Sequence, residues 1–129
     1  MLTLIITWRE AQIESFKETA VYLTAGAMCN EIAYRVWGRH GDEIIMDKTG
    51  HALLFETGGP AALSGLMIKQ LEGPNGMFSP EQIETATKSF GRHAPRPRIV
   101  NIENTTNLAG GCIWSLKNLR AIADNAHSA

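Results

Sequence analysis

An α/β fold, a sheet of mostly parallel strands joined by helical crossovers, is what this sequence predicts. Three observations point to it. Short β-prone runs alternate with longer amphipathic stretches, and Gly and Pro punctuate the junctions between them. The length of 129 residues suits one domain, and 44% hydrophobic with 19% charged residues is an ordinary globular mix.

The elements follow in order. Residues 1–16 are read as helical with no assigned place in the fold; within them Trp8 to Phe16 carries Trp8, Ile13 and Phe16 near one face. Thr19 to Leu23 is a short β-prone run closed by Thr24-Ala25-Gly26. A helix is predicted from Ala27 to Trp37, with Met28, Ile32 and Val36 as its four-residue stripe and Gly38 and Gly41 ending it. Glu43 to Met46 is too short and too apolar for a helix and reads as a buried strand. Between Gly50 and Thr57 a short helix starts near His51.

Leu66 to Leu71 is the next strand, followed by the turn-rich Glu72-Gly73-Pro74-Asn75-Gly76. Ser79-Pro80-Glu81-Gln82 is a helix start: Ser79 caps, Pro80 suits the first helical position and Gln82 completes a capping box. Ile83, Thr87 and Phe90 give that helix its inward stripe. Arg98 to Glu103 is the last strand, and Ser115 caps a helix with Leu116, Leu119, Ile122, Ala123 and Ala126 on one side.

Several function classes fall away. Twelve basic against thirteen acidic side chains give a formal charge of -1, without the electropositive footprint of a nucleic-acid binder. The apolar runs are far shorter than the roughly 20 residues of a membrane span. Cys29 and Cys112 make no disulfide framework, and the opening residues lack the basic start of a signal peptide, so a cytoplasmic protein is expected. His40, Asp47 and His51 have no metal-ligand spacing, and no metal is expected. Lys48-Thr49-Gly50 lacks the companion boxes of serine β-lactam enzymes.

Three segments suit chemistry better than packing. Thr24-Ala25-Gly26-Ala27 joins a strand-like run to a helix N-terminus, where free N–H groups and the helix dipole favour a phosphate. His51, with Glu56 and Gly58-Gly59 behind it, follows a strand at the carboxyl edge of the sheet, where open α/β folds bind ligands. Glu103-Asn104-Thr105-Thr106-Asn107, before Gly110-Gly111, leaves the last strand as a run of short polar side chains.

In this order and register the three segments resemble the threonine aldolases, pyridoxal-phosphate lyases of the aspartate-aminotransferase-like group, from about residue 17 to the end. The family's P-S-G-T-M-x-N turn matches Thr24 to Asn30; H-x-x-x-x-E-x-G-G matches His51, Glu56, Gly58 and Gly59; E-N-T-H-N-x-x-G-G matches Glu103 to Gly111. The resemblance implies a partial three-layer, truncated PLP-transferase-like large domain, pyridoxal 5′-phosphate as cofactor and retro-aldol cleavage of a β-hydroxy amino acid. It implies cofactor binding by Ala25, Gly26, Ala27 and His51. It also implies catalytic roles for His51 and Glu56, with Glu56 near the substrate hydroxyl or an ordered water. Asn104, Thr105 and Thr106 would line the substrate pocket, in a homo-oligomer.

Departures from the family pattern are specific. Ala25 and Ala27 stand where the family has hydroxyls, and Thr106 where it has a histidine. The D-G-A-R strand and the S-K-G setting of the cofactor-anchoring lysine have no match here; Lys17, Lys48, Lys69, Lys88 and Lys117 have other contexts. The expectation is therefore a fragment that is weak or inactive alone. The alternative is a non-catalytic binding or assembly module, or a gene remnant, related to the aldolase.

Overall fold

The computed structural model describes residues 3–7, 23–88 and 91–128. Strands β1 (Thr3–Thr7), β2 (Asp42–Asp47), β3 (Met67–Leu71) and β4 (Arg96–Glu103) form one sheet in the order β1-β4-β2-β3. Every neighbouring pair is parallel. The helices are α1 (Gly26–Trp37), the single turn α2 (His51–Leu54), α3 (Gly59–Ser64), α4 (Pro80–Thr87) and α5 (Leu116–Ser128). No helix among the described residues is long and apolar enough to cross a membrane.

Alternation along the two central strands builds two cores. Ile45, Val100 and Ile102 pack with Ile83 and Ala86 of α4, Ile122 and Ala126 of α5, and with Phe78 and Trp114. Ile44, Met46 and Ile99 point the other way, onto Tyr34 of α1, Ala52 of α2 and Leu66. Helices thus cover both faces, and β2 is buried along its whole length, as central parallel strands are. The predicted α/β class and its parallel, layered sheet describe this architecture.

At the amino edge Arg96 donates to both oxygens of Asp42, at 3.0 and 2.9 Å, and holds the start of β4 against the start of β2. Burial opposes ionisation of Asp42, but the Arg96 bonds and the Arg39 N–H outweigh it and keep the carboxyl below its usual range.

The structure differs from the sequence reading at several places. The predicted helix Trp8–Phe16 lies outside the described residues, but Thr3–Thr7, inside the 1–16 stretch read as helical, is a strand on β4. Its Thr-Leu-Ile-Ile-Thr sequence is β-branched enough to explain that. The predicted strand Thr19–Leu23 also falls largely outside the described residues, and Leu23 belongs to no strand. Met28, Ile32 and Val36 of α1 face outward, 45%, 45% and 68% exposed, while Asn30 and Tyr34 are buried. Here hydrogen bonding decides which side of the helix goes in, not the apolar stripe. Similarly, Leu116 is exposed, at the start of α5, ahead of the buried pair Ile122 and Ala126. The short helix α3, opened by Pro60, has no counterpart in the sequence reading.

The capping box of α4 is present in full: Ser79 Oγ accepts from Gln82 N–H at 3.3 Å, and Gln82 Oε1 accepts from Ser79 N–H at 2.8 Å. Ser79→Ala is expected to cost about 1 kcal/mol of stability. An unchanged urea midpoint for that variant would show the cap to be dispensable. Phe90 lies outside the described residues.

Candidate active site

The carboxyl ends of β2 and β4 open onto a small cleft lined by Asp47, Thr49, Gly50, Gly76, Phe78, Asn101, Glu103 and Thr106. Asp47, the last residue of β2, shapes its floor. One oxygen accepts from the N–H and hydroxyl of Thr49, at 2.8 and 2.6 Å, and the other from Gly73 N–H at 3.1 Å. Alternation in β4 sends Asn101 and Glu103 to the side of Ile99, toward α1 and α2. There Asn101 Oδ1 accepts the Tyr34 hydroxyl at 2.9 Å, and Glu103 Oε2 accepts His51 N–H at 3.3 Å.

His51 therefore starts α2 beside the cleft, tied to it through its own backbone. Its ring Nδ1 lies 3.0 Å from Glu56 Oε1, and Phe55 leans on the ring with 5.5 Å between centroids. Glu56 Oε1 also accepts from Asn30 Nδ2 at 2.7 Å. This bond links the His51 segment to the first turns of α1. Glu56 is positioned by a tight turn in which Thr57 takes a φ of 55° and Gly58 one of 71°. A β-branched residue rarely adopts that region, so the turn that buries Glu56 carries strain at Thr57.

The third segment begins α1. Ala25 takes extended dihedrals (φ -145, ψ 143) and offers no side-chain cap, and the first turn has no acidic residue. Among the described residues a Cβ at Gly26 would meet nothing within 4 Å, and the first N–H groups of a helix have no intrahelical partner and favour an anion. The structure brings this turn together with His51 and Glu56 through Asn30.

The segment after β4 is divided. Thr106 is buried and lines the cleft; its hydroxyl accepts Cys112 N–H at 3.1 Å. Asn104 turns away, its Oδ1 accepting Trp114 N–H at 3.1 Å, and Thr105 is exposed. Glu56 has a side chain only 1% exposed, so it meets the surroundings through His51 and not directly.

The electrostatics are acidic. Burial, then the charge of Glu56, push the Glu31 carboxyl up to about 7. Burial, then the charges of Glu56, Glu31 and Glu103, hold the Tyr34 hydroxyl firmly protonated, with its pKa raised. Asn101, Tyr34 and Asp47 were not singled out by sequence reasoning for this site, and Glu103 entered only as the first residue of the polar run after the last strand. Strand period could have found Asn101, as a polar residue alternating with buried Val100 and Ile102.

Comparison with known proteins places the chain in a family. The sequence model of the beta-eliminating lyase family matches residues 10–129. The Caenorhabditis elegans uncharacterized protein R102.4 is 31% identical over 107 residues, 82% of this chain and 26% of its own length. The low specificity L-threonine aldolase of Escherichia coli (strain K12) is 29% identical over 94 residues, 72% of this chain and 28% of that protein. The structure of Leishmania major threonine aldolase matches with a TM-score of 0.73 at 27% identity, covering 81% of this chain and 30% of that one. The chain thus spans 26% to 30% of the lengths of these relatives. With 120 consecutive positions, 10 to 129, under the family model, the chain belongs to the beta-eliminating lyase family, and its likeness there is to the threonine aldolases.

Proposed function

We propose that this chain supplies the phosphate turn and the ring-facing histidine of a threonine-aldolase-like lyase, using pyridoxal 5′-phosphate on a β-hydroxy amino acid. The reaction would be the cleavage of threonine or allo-threonine to glycine and acetaldehyde. One observation carries the reading: the open, uncapped start of α1 is bonded through Asn30 and Glu56 to His51 at the carboxyl edge of the sheet. The unfilled space at Gly26 and the half-exposed His51 ring suit the phosphate and ring of that cofactor.

The cofactor, when bound, supplies the electron sink for the pair released as Cα–Cβ breaks. The N–H groups of Gly26 and Ala27 would hold its phosphate, aided by the dipole of α1. His51 would present its ring face, kept at a fixed tilt by Glu56 and Phe55. Thr106 cannot serve as a base near neutrality; its hydroxyl shapes the cleft and accepts Cys112 N–H.

Among the described residues an anchoring amine is missing from this set. Lys48 pairs with Glu72, Lys69 with Glu43, and Lys88 with Glu84, while Lys117 lies exposed on α5. Cleavage by these residues alone is therefore expected to be no faster than by the free cofactor. The same reading makes the protein a cytoplasmic homo-oligomer.

The test uses pyridoxamine 5′-phosphate, which has no aldehyde to react with surface lysines, and compares it with pyridoxamine. Calorimetry is expected to show the phosphate ester binding at least about tenfold more tightly, taking one charge-assisted bond as the difference. His51→Ala should weaken both compounds. Equal affinity for the two would remove the phosphate site, and acetaldehyde from threonine at an enzymatic rate would show the set to be complete.

A further inference from the structure

Two neighbouring buried carboxyl groups lie behind His51, and neither finds a donor for its free edge among the described residues. Glu56 uses Oε1 for Asn30 and His51, at 2.7 and 3.0 Å, while its Oε2 is buried without a partner. Glu31, the next residue of α1 after Asn30, has both side-chain oxygens buried and unpartnered. Its head rests on the bare Cα of Gly59, where any Cβ would collide with Glu31 Oε1. Gly59 follows Glu56 by three residues, and Asn30, beside Glu31 in α1, bonds Glu56 directly, so the two carboxyls are neighbours. As anions both are acceptors only, so neither can serve the other until one carries a proton. A single proton lets Glu31 donate to Glu56 and gives one oxygen of each carboxyl a partner.

We propose that Glu31 is held protonated against Glu56, donates its O–H to the Glu56 carboxylate, and acts as a positioning residue that fixes the ring of His51. Glu56 then remains an anion with three donors, namely Asn30, His51 and Glu31. Facing such an acceptor, His51 must carry its hydrogen on Nδ1, which leaves Nε2 as the basic nitrogen. The surrounding groups favour the arrangement. Tyr34 on α1 gives its hydroxyl to Asn101, and Glu103 on β4 accepts the His51 backbone N–H. The charges acting on Glu31 and Tyr34 come from carboxylates, and burial together with Glu56 pushes Glu31 up to about 7.

The catalytic meaning of a fixed His51 rests on the cofactor reading above; the proton on Glu31 does not. A folded-state value near 7 against an ordinary 4.5 means that this group's stabilising effect is complete below 4.5 and disappears as pH rises through about 7. The experiment is carboxyl-carbon NMR of glutamate-labelled full chain, with imidazole nitrogen NMR at neutral pH. One glutamate is expected to titrate near 7 and to vanish from the spectrum of Glu31→Gln, whose amide still donates. His51 should show the Nδ1–H tautomer in the parent and in Glu31→Gln. Glu31→Leu, which cannot donate, should keep the Nδ1–H tautomer but shift its resonance, as the Glu56 carboxylate loses a donor and the ring its fixed placement; Glu31→Gln should restore the parent position. The assignment is overturned if no glutamate titrates above about 6 in the parent, which needs no variant to read. It is also overturned if the transition survives Glu31→Gln, or if Glu31→Leu leaves the Nδ1–H resonance where the parent has it. Failure of pyridoxamine 5′-phosphate to bind would instead remove the cofactor reading and leave the proton where it is.

Discussion

Ala25→Ser combined with Ala27→Thr is expected to tighten binding of pyridoxamine 5′-phosphate by about two to four powers of ten. Each hydrogen bond to a charged group contributes roughly 1.5–3 kcal/mol, and the pair is taken as additive. The start of α1 has extended dihedrals at Ala25, no side-chain cap and, among the described residues, nothing within 4 Å of a Cβ at Gly26. What it lacks is the side-chain hydroxyls of the family's turn. The hydroxyl introduced by Ala25→Ser could instead cap α1 internally, and that would appear as about 1 kcal/mol of stability with no gain in affinity. Calorimetry separates the two, because pyridoxamine without the phosphate should bind the double variant no better than the parent. A gain below tenfold, or an equal gain for pyridoxamine, would place the phosphate elsewhere.

The largest loss of stability is expected from Trp114→Ala, at about 3–5 kcal/mol. Trp114 is 3% exposed, meets Phe78 edge-on with 5.2 Å between centroids, and belongs to the core shared by α4 and α5. Its indole N–H also donates to Glu103 O at 3.1 Å, so the same side chain holds the end of β4 that leads to Thr106. A domain stable by about 5–15 kcal/mol cannot absorb that loss easily. Trp114→Phe should keep most of the packing and lose about 1 kcal/mol for the missing donor. Urea unfolding of the three proteins gives the order directly, and a Trp114→Ala variant within about 1 kcal/mol of the parent would contradict this account of the core.

How much of this could be read from the sequence varies with the kind of signal. The strands at Glu43, Leu66 and Arg98 and the Ser79 capping box were legible because each is set by its own few residues. His51 and the start of α1 were legible as candidates because a motif and a helix N-terminus coincide. The packing side of α1 was not. Periodicity favoured Met28, Ile32 and Val36, and nothing local says that Asn30 and Tyr34 will find Glu56 and Asn101, which lie 26 and 67 residues away in sequence. Glu31 was equally hidden, since a glutamate in a helix ordinarily reads as solvated, and only the fold brings Gly59 and Glu56 against it. Asn104 and Thr105 share a motif with Thr106, yet the chain turns between them, and only Thr106 reaches the cleft.

The outward Met28, Ile32 and Val36 have a practical meaning for anyone remaking this molecule. Greasy residues are usually the ones a protein engineer leaves alone, and polar ones the first to be redesigned. Along α1 that habit should be reversed: lysine or glutamate at the three outer positions would improve solubility at little cost in packing, whereas tidying away Asn30 or Tyr34 would dismantle the interior.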